Sequence, residues 1–216
     1  LIFVVTFLSY FGLETDRFNQ LIKNKVLEVN ENVNLEFEST KTHLSIKDLK
    51  IVIKLKNPKA MIKNDEIKLE KINLFLSLKS FFSSDFLLKK IDLGLAKNDI
   101  KDLIKVTNIA LPQQINKQIE TVFIAGSLEG EFIIPFNPDG TVSSEYRFQG
   151  NLSEVEVKIA EGISVKGLFA ELRHETIAQN YNLYITINKG SLLNLELLKS
   201  SINYYSKENL KKIESE

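Results

Sequence analysis

A chain whose apolar residues recur at every second position is committed to sheet, because an extended strand turns alternate side chains to opposite faces. The stretch from Leu44 to Leu95 carries that pattern three times. Leu49, Ile51, Ile53 and Leu55 are aliphatic, while Lys50, Lys54 and Lys56 take the other side. Ile72, Leu74, Leu76 and Leu78 repeat the alternation, and Ile91, Leu93 and Leu95 repeat it again. Three consecutive one-sided strands need a cover over their apolar face, and the nature of that cover decides what the chain can do.

The same period runs through most of the remaining sequence. Val33 to Glu38 alternates as a first strand, and Asn57-Pro58 ends the strand through Ile53, since proline has no N–H to give to a ladder. Ile67 and Leu69 lie on odd positions and Ile72 to Leu78 on even ones, a slip that predicts a sheet-bending β-bulge at Glu70-Lys71. A short turn or helical piece carrying Phe81 and Phe82 follows at 80–84. Asn137-Pro138-Asp139-Gly140 predicts a tight turn joining antiparallel strands. Tyr146 and Phe148, then Val155, Val157 and Ile159, then 163–172 and 183–187 predict further strands, while Leu192 to Leu198 fits a strand or a helix start.

Helical spacing breaks the pattern in three places. Residues 13–30 predict an amphipathic helix, capped by Thr15 or Asp16, with Phe18, Leu21, Ile22 and Val26 on one face. That helix fits the edge of a sheet or, with Lys23 and Lys25, a membrane surface. Near 98–120 a helical interruption starts at Asn98 or Asp99 and runs through Ile100, Leu103 and Ile104. The charged residues 206–216 predict a helix start that continues past Glu216. The expected fold is therefore mainly β with a few helices (α+β): an antiparallel, strongly curved sheet over 31–205, forming a groove or an open sandwich.

Composition narrows the function. The 216 residues hold 28 Lys+Arg against 28 Asp+Glu, so the basic footprint of a nucleic-acid binder is missing and no nucleic-acid partner is expected. There is no cysteine, hence no disulfide framework and no thiolate metal site. His43 and His174 are the only histidines and have no zinc-type spacing. Gly126-Ser127-Leu128-Glu129-Gly130 lacks the lysine and helix start of a phosphate cradle. The chain reads as a non-enzyme without metal or cofactor. Residues 1–12 open with a charge-free apolar run, about a dozen residues against the roughly 20 needed to span a bilayer. Tyr10 and Phe11 stand where an aromatic interface belt falls, so the run reads as a truncated transmembrane anchor; a buried strand or a signal-peptide core is the other reading.

The apolar sheet face is the candidate site. Ile51, Ile53, Leu74, Leu76, Leu93, Leu95, Phe132, Ile134, Phe148 and Val157 are the residues expected on it. Packed protein is one cover for such a face. A lipid tail is the other, because each acyl CH₂ removed from water is worth about 0.8 kcal/mol, and roughly four strands at about 4.8 Å spacing match the length of a long tail.

The order of the segments VNLEFES, LKIVIKLKNPK, EIKLEKINLFLSLKSFF and LLKKIDLGLAKNDIKDLIKV, after an apolar N-terminus and a short helix, resembles the N-terminal region of the bacterial AsmA-like family (the AsmA/TamB/YhdP group). GSLEGEF and VKGLFAEL are similar to that family's repeating strands. The resemblance implies a single-pass inner-membrane protein with the bulk of the chain in the periplasm. It implies phospholipid, the inner membrane and outer-membrane or periplasmic proteins as partners. It also implies a β-groove that binds acyl chains in phospholipid transport or outer-membrane maintenance. The alternative is a closed β-sandwich acting as a non-catalytic assembly module in outer-membrane protein biogenesis.

Overall fold

Alternation becomes strand almost everywhere in the computed structural model, which describes residues 9–16, 18–29, 31–45, 50–62, 65–78, 87–110, 119–177, 180–207 and 210–215. The strands are β1 (Leu13–Thr15), β2 (Val33–Glu36), β3 (Thr40–Ser45), β4 (Lys50–Leu55), β5 (Lys59–Ile62), β6 (Asp65–Ser77) and β7 (Leu88–Asp99). They continue with β8 (Phe123–Pro135), β9 (Arg147–Ala160), β10 (Ile163–Ile177), β11 (Asn180–Leu192), β12 (Leu195–Leu197), β13 (Ser200–Lys207) and β14 (Leu210–Ser215). Among the described residues the helices α1 (Asn19–Val29) and α2 (Ile100–Ala110) interrupt them. The strands form one open sheet in the order β1-β3-β4-β6-β7-β8-β9-β10-β11-β13-β14, with β1 and β14 at its ends. The chain divides into two units: residues 1–94 with 132–143, and residues 95–131 with 144–216.

In the first unit β3, β4 and β6 pair antiparallel, setting Ile51 opposite Leu44 and Leu76, and Ile53 opposite Thr42 and Leu74. Two bent strands run side by side here: β2 pairs with β5 where β3 pairs with β4. The bend falls at Phe37–Ser39 and at Lys56-Asn57-Pro58, where Asn57 adopts a φ of 49° and its amide donates to Glu38 Oε1 at 2.6 Å. The apolar phase of β6 slips at Glu70-Lys71, between the residues that pair with β5 (65–68) and those that pair with β4 (72–77). Ile67 and Ile72 are both buried across that slip, so an exchange of partner strand absorbs the odd residue. The cover is α1 with the turn that leads into it: Phe18, Ile22 and Val26, spaced by four, join a core with Leu35, Ile51, Ile53, Leu55, Ile72, Leu74 and Leu76.

In the second unit α2 plays the same part. Asp99 caps it, its Oδ1 accepting the Lys101 N–H at 2.7 Å. Ile100 and Ile104, one turn apart, pack with Leu152, Val155, Val165, Leu168 and Ala170. The strands under the helix are irregular. Register shifts flank the Val155–Leu168 pair, and positive φ at Glu154 (55°) and Gly167 (57°) marks an extra residue on each strand. These bulges keep Leu152 and Val155, three apart on β9, on the same inward face. Gly126 of β8 (φ 120°) lies so close that a Cβ there would stand 2.5 Å from Val155 Cα.

Several expectations are corrected. No helix among the described residues is long and apolar enough to cross a membrane, so the single-pass inner-membrane placement is not supported. The run expected to be an anchor falls largely on residues 1–8, outside the described residues; after a helical turn at Ser9-Tyr10 the chain enters β1, paired with β3 from Leu13↔Thr42 to Thr15↔Thr40. The helix expected over 13–30 is confined to Asn19–Val29, because Leu13 to Thr15 are taken up by that pairing. The C-terminal helix expected over 206–216 is instead the end of β13 and the strand β14, whose pairing Ile202↔Ser215 to Lys207↔Leu210 overrides a local pattern that fitted a helix equally well. Leu192 to Leu198 is a hairpin, with Leu193 and Asn194 at φ 51° and 68° in its two-residue turn. The interruption near 98–120 contains α2 and a helical turn at 119–122, while 111–118, like the aromatic piece at 80–84 and Leu49, lies outside the described residues. The Asn137–Gly140 turn forms as expected, with the Gly140 N–H donating to Asn137 O at 2.9 Å and Asp139 Oδ1 accepting from the Thr141 N–H at 2.9 Å.

Candidate functional site

The residues expected on the apolar face separate by unit. Ile51, Ile53, Leu74 and Leu76 come together in the first unit, but as core under α1, with Ile53 0% and Leu76 1% exposed. Leu93 is half-buried against them. Phe132 and Ile134 are half-buried on β8. In the second unit Leu95 is buried and Val157 packs on the core under α2. Phe148 is half-buried, its ring lying over Gly130 and Gly150: a Cβ on either glycine would come within 2.8 Å of it.

The second unit carries a row of which sequence reasoning named only Phe148 as a site residue. β10 pairs His174 with Phe148 of β9 and with Leu183 of β11. β13 then sets Tyr204 opposite Leu183, and β14 sets Ile213 opposite Tyr204. The neighbouring row runs Gly150, Leu172, Ile185, Ile202, Ser215. Leu172 and Ile185 pack on the core, so these rows lie on the face that α2 covers farther along the strands. Leu183, Ile202, Tyr204 and Ile213 belong to neither core; the first three are half-buried and Ile213 is 72% exposed. The signals were present, since Leu183 alternates with Ile185 and Ile202 with Tyr204, but a helix expected from 206 hid the strand that extends the face.

The opposite face is polar. Arg173 is paired with Glu175 at 2.6 Å and lies 6.0 Å from the Tyr184 ring, which meets Tyr205 edge-on at 5.7 Å. Lys212 pairs with Glu214 on the same side. This half of the sheet is therefore amphipathic, with its apolar side incompletely covered.

The two histidines have separate surroundings. His43, in the first unit, packs over Gly12, where a Cβ would stand 2.8 Å from its Cε1. Burial first, and then Lys54 and Lys41, hold its pKa below the ordinary value. His174, in the second unit, has its pKa lowered by burial and is stacked by Tyr146 at 5.2 Å. Among the described residues no group of three or more His, Asp or Glu is placed to hold a metal ion.

These features define an antiparallel open-sheet protein in which each unit has a helix over part of its apolar face. Compared with family models, curated proteins and solved structures, the chain matches none. The AsmA-like resemblance rests on the sequence segments alone.

Proposed function

We propose that the chain is a non-catalytic lipid-binding module. The uncovered face of the second unit forms a curved groove that holds acyl chains, and through it the protein contributes to the movement of phospholipid between membranes. The observation that carries this reading is the apolar row Leu183, Tyr204 and Ile213 with Ile202 beside it, outside both cores and backed by a polar face. A contiguous apolar patch left incompletely buried marks an interaction surface, and a tail laid across it recovers about 0.8 kcal/mol for each CH₂ removed from water. The first-unit residues Ile51, Ile53, Leu74 and Leu76 have α1 against them and take no ligand in this reading.

Photocrosslinking separates the two faces. A photoreactive residue at position 183 or 202 is expected to label lipid in vesicles or lipid extract, and one at 53 only protein. Native mass spectrometry of the purified chain should show co-purifying lipid. Adducts to protein alone at 183 and 202, with no bound lipid in the mass spectrum, would sink the proposal.

A further inference from the structure

Beyond Leu183 the same face ends in a polar cluster that an acyl tail does not explain. Tyr146 stacks on the His174 imidazole (ring centroids 5.2 Å apart, planes at 30°), and Tyr181 stands on it at 6.5 Å and 37°. Thr176 shares the face with His174, two residues on. It is opposite Tyr181 across β10 and β11, and its N–H donates to the Tyr146 carbonyl at 3.0 Å. Thr176 is 2% exposed, and its Oγ1 has no hydrogen-bond partner. Buried hydroxyls in native proteins are nearly always paired, so an unpaired one calls for a missing partner.

The chemistry of the cluster says what that partner is. Two phenol hydroxyls, an imidazole and a threonine hydroxyl all offer donors. The alternation of β10 sends its carboxylates, Glu171 and Glu175, to the other face, where Arg173 engages Glu175. A donor-rich cluster at the end of an apolar face, on the side of β10 away from Glu171 and Glu175, complements an anionic oxygen head.

We propose that Tyr146, His174, Thr176 and Tyr181 bind the anionic head, a phosphate or a carboxylate, of an amphiphile whose tail lies along Leu183, Ile202 and Tyr204. This rests on the reading of that face as an acyl-binding surface, and the test keeps the two apart. The full chain is titrated with dodecyl phosphate below its micelle concentration, with dodecanol below its solubility limit, which has the same tail and a neutral hydroxyl head, and with inorganic phosphate, which has the head alone. Dodecyl phosphate should bind about tenfold more tightly than dodecanol, the ratio one charge-assisted hydrogen bond supplies. Thr176→Val, which keeps the shape and removes the hydroxyl, and His174→Gln should each collapse that preference while leaving dodecanol binding unchanged. The His174 ring resonances, identified by their persistence in His43→Gln, should shift with dodecyl phosphate and not with dodecanol. Equal affinities for dodecyl phosphate and dodecanol overturn the head site and leave the apolar face standing. No binding of either overturns both. Inorganic phosphate binding as tightly as dodecyl phosphate would make the ligand a free anion and overturn the amphiphile. A preference that survives both substitutions overturns the residue assignment.

Discussion

Ile53→Ala tests whether the first-unit face is closed by protein. Ile53 is 0% exposed and shares a core with Ile22 of α1, Leu35, Leu74 and Leu76, so truncation leaves a cavity that rigid neighbours cannot fill. A buried Ile→Ala change costs about 2–5 kcal/mol, and full enclosure places this one at about 3 kcal/mol or more. With a urea m-value of about 2 kcal/mol/M, the unfolding midpoint should fall by about 1.5 M. Leu183→Ala is the contrast, because Leu183 is only half-buried and outside the core. It loses about half of a leucine's burial, roughly 1 kcal/mol. The assay is equilibrium urea denaturation of the wild type and both variants, followed by far-ultraviolet circular dichroism. A cost below about 1 kcal/mol for Ile53→Ala, or equal costs at the two positions, would refute the division into a covered and an uncovered face.

Gly126→Ala should be destabilising by about 3 kcal/mol or more, adding the strain of an unfavourable φ to a backbone clash with Val155. Gly140→Ala, at a φ of 85° with nothing within 4 Å, should cost only about 1 kcal/mol; thermal melts of the pair isolate the clash. Asp99→Ala removes the cap of α2 and should cost about 1 kcal/mol, read by urea denaturation. Burial and the neighbouring Lys54 and Lys41 keep the His43 pKa below 6.5 in the folded state, so the unfolded chain takes up the proton first as pH falls. The stability from neutral His43 is therefore complete above about pH 6.5 and lost as pH drops toward the folded-state pKa. His43→Gln should flatten the fall in melting temperature between about pH 7 and pH 5, and an unchanged slope would refute the assignment.

Period two was enough to locate most strands, because side-chain alternation is a local property of each segment. Asn137-Pro138-Asp139-Gly140 was legible for the same reason, as was the four-residue spacing of Phe18, Ile22 and Val26. What local pattern does not carry is pairing. Leu210 and Ile213, three apart among charges, suit a helix until β13 offers them a ladder. Leu193 and Asn194 look like part of an apolar run until their positive φ values turn the chain. The site was half legible for a related reason. Alternation identified which side of each strand is apolar, but not which stretch of it a helix would occupy. Ile53 and Leu183 have the same signature in sequence and differ only in what lies above them.

That difference can be followed along β10. α2 has 11 residues, about 16 Å of helix. β10 beneath it has 15 residues, about 50 Å of strand. The buried β10 residues in the core with α2 run from Val165 to Ala170, about 17 Å of strand, with Leu172 packed at their end. From Leu172 outward none of the β10 residues is among the buried members of that core, yet the inward side remains apolar across β11, β13 and β14 through Leu183, Ile202, Tyr204 and Ile213. A sheet built only to close a core would turn polar where its helix ends. This one stays mainly apolar for two more rows, with His174 and Ser215 in them, and turns polar at Thr176, Tyr181 and Ser206, which pair across β10, β11 and β13. The boundary between the apolar rows and that polar end is the feature that an amphiphile would read.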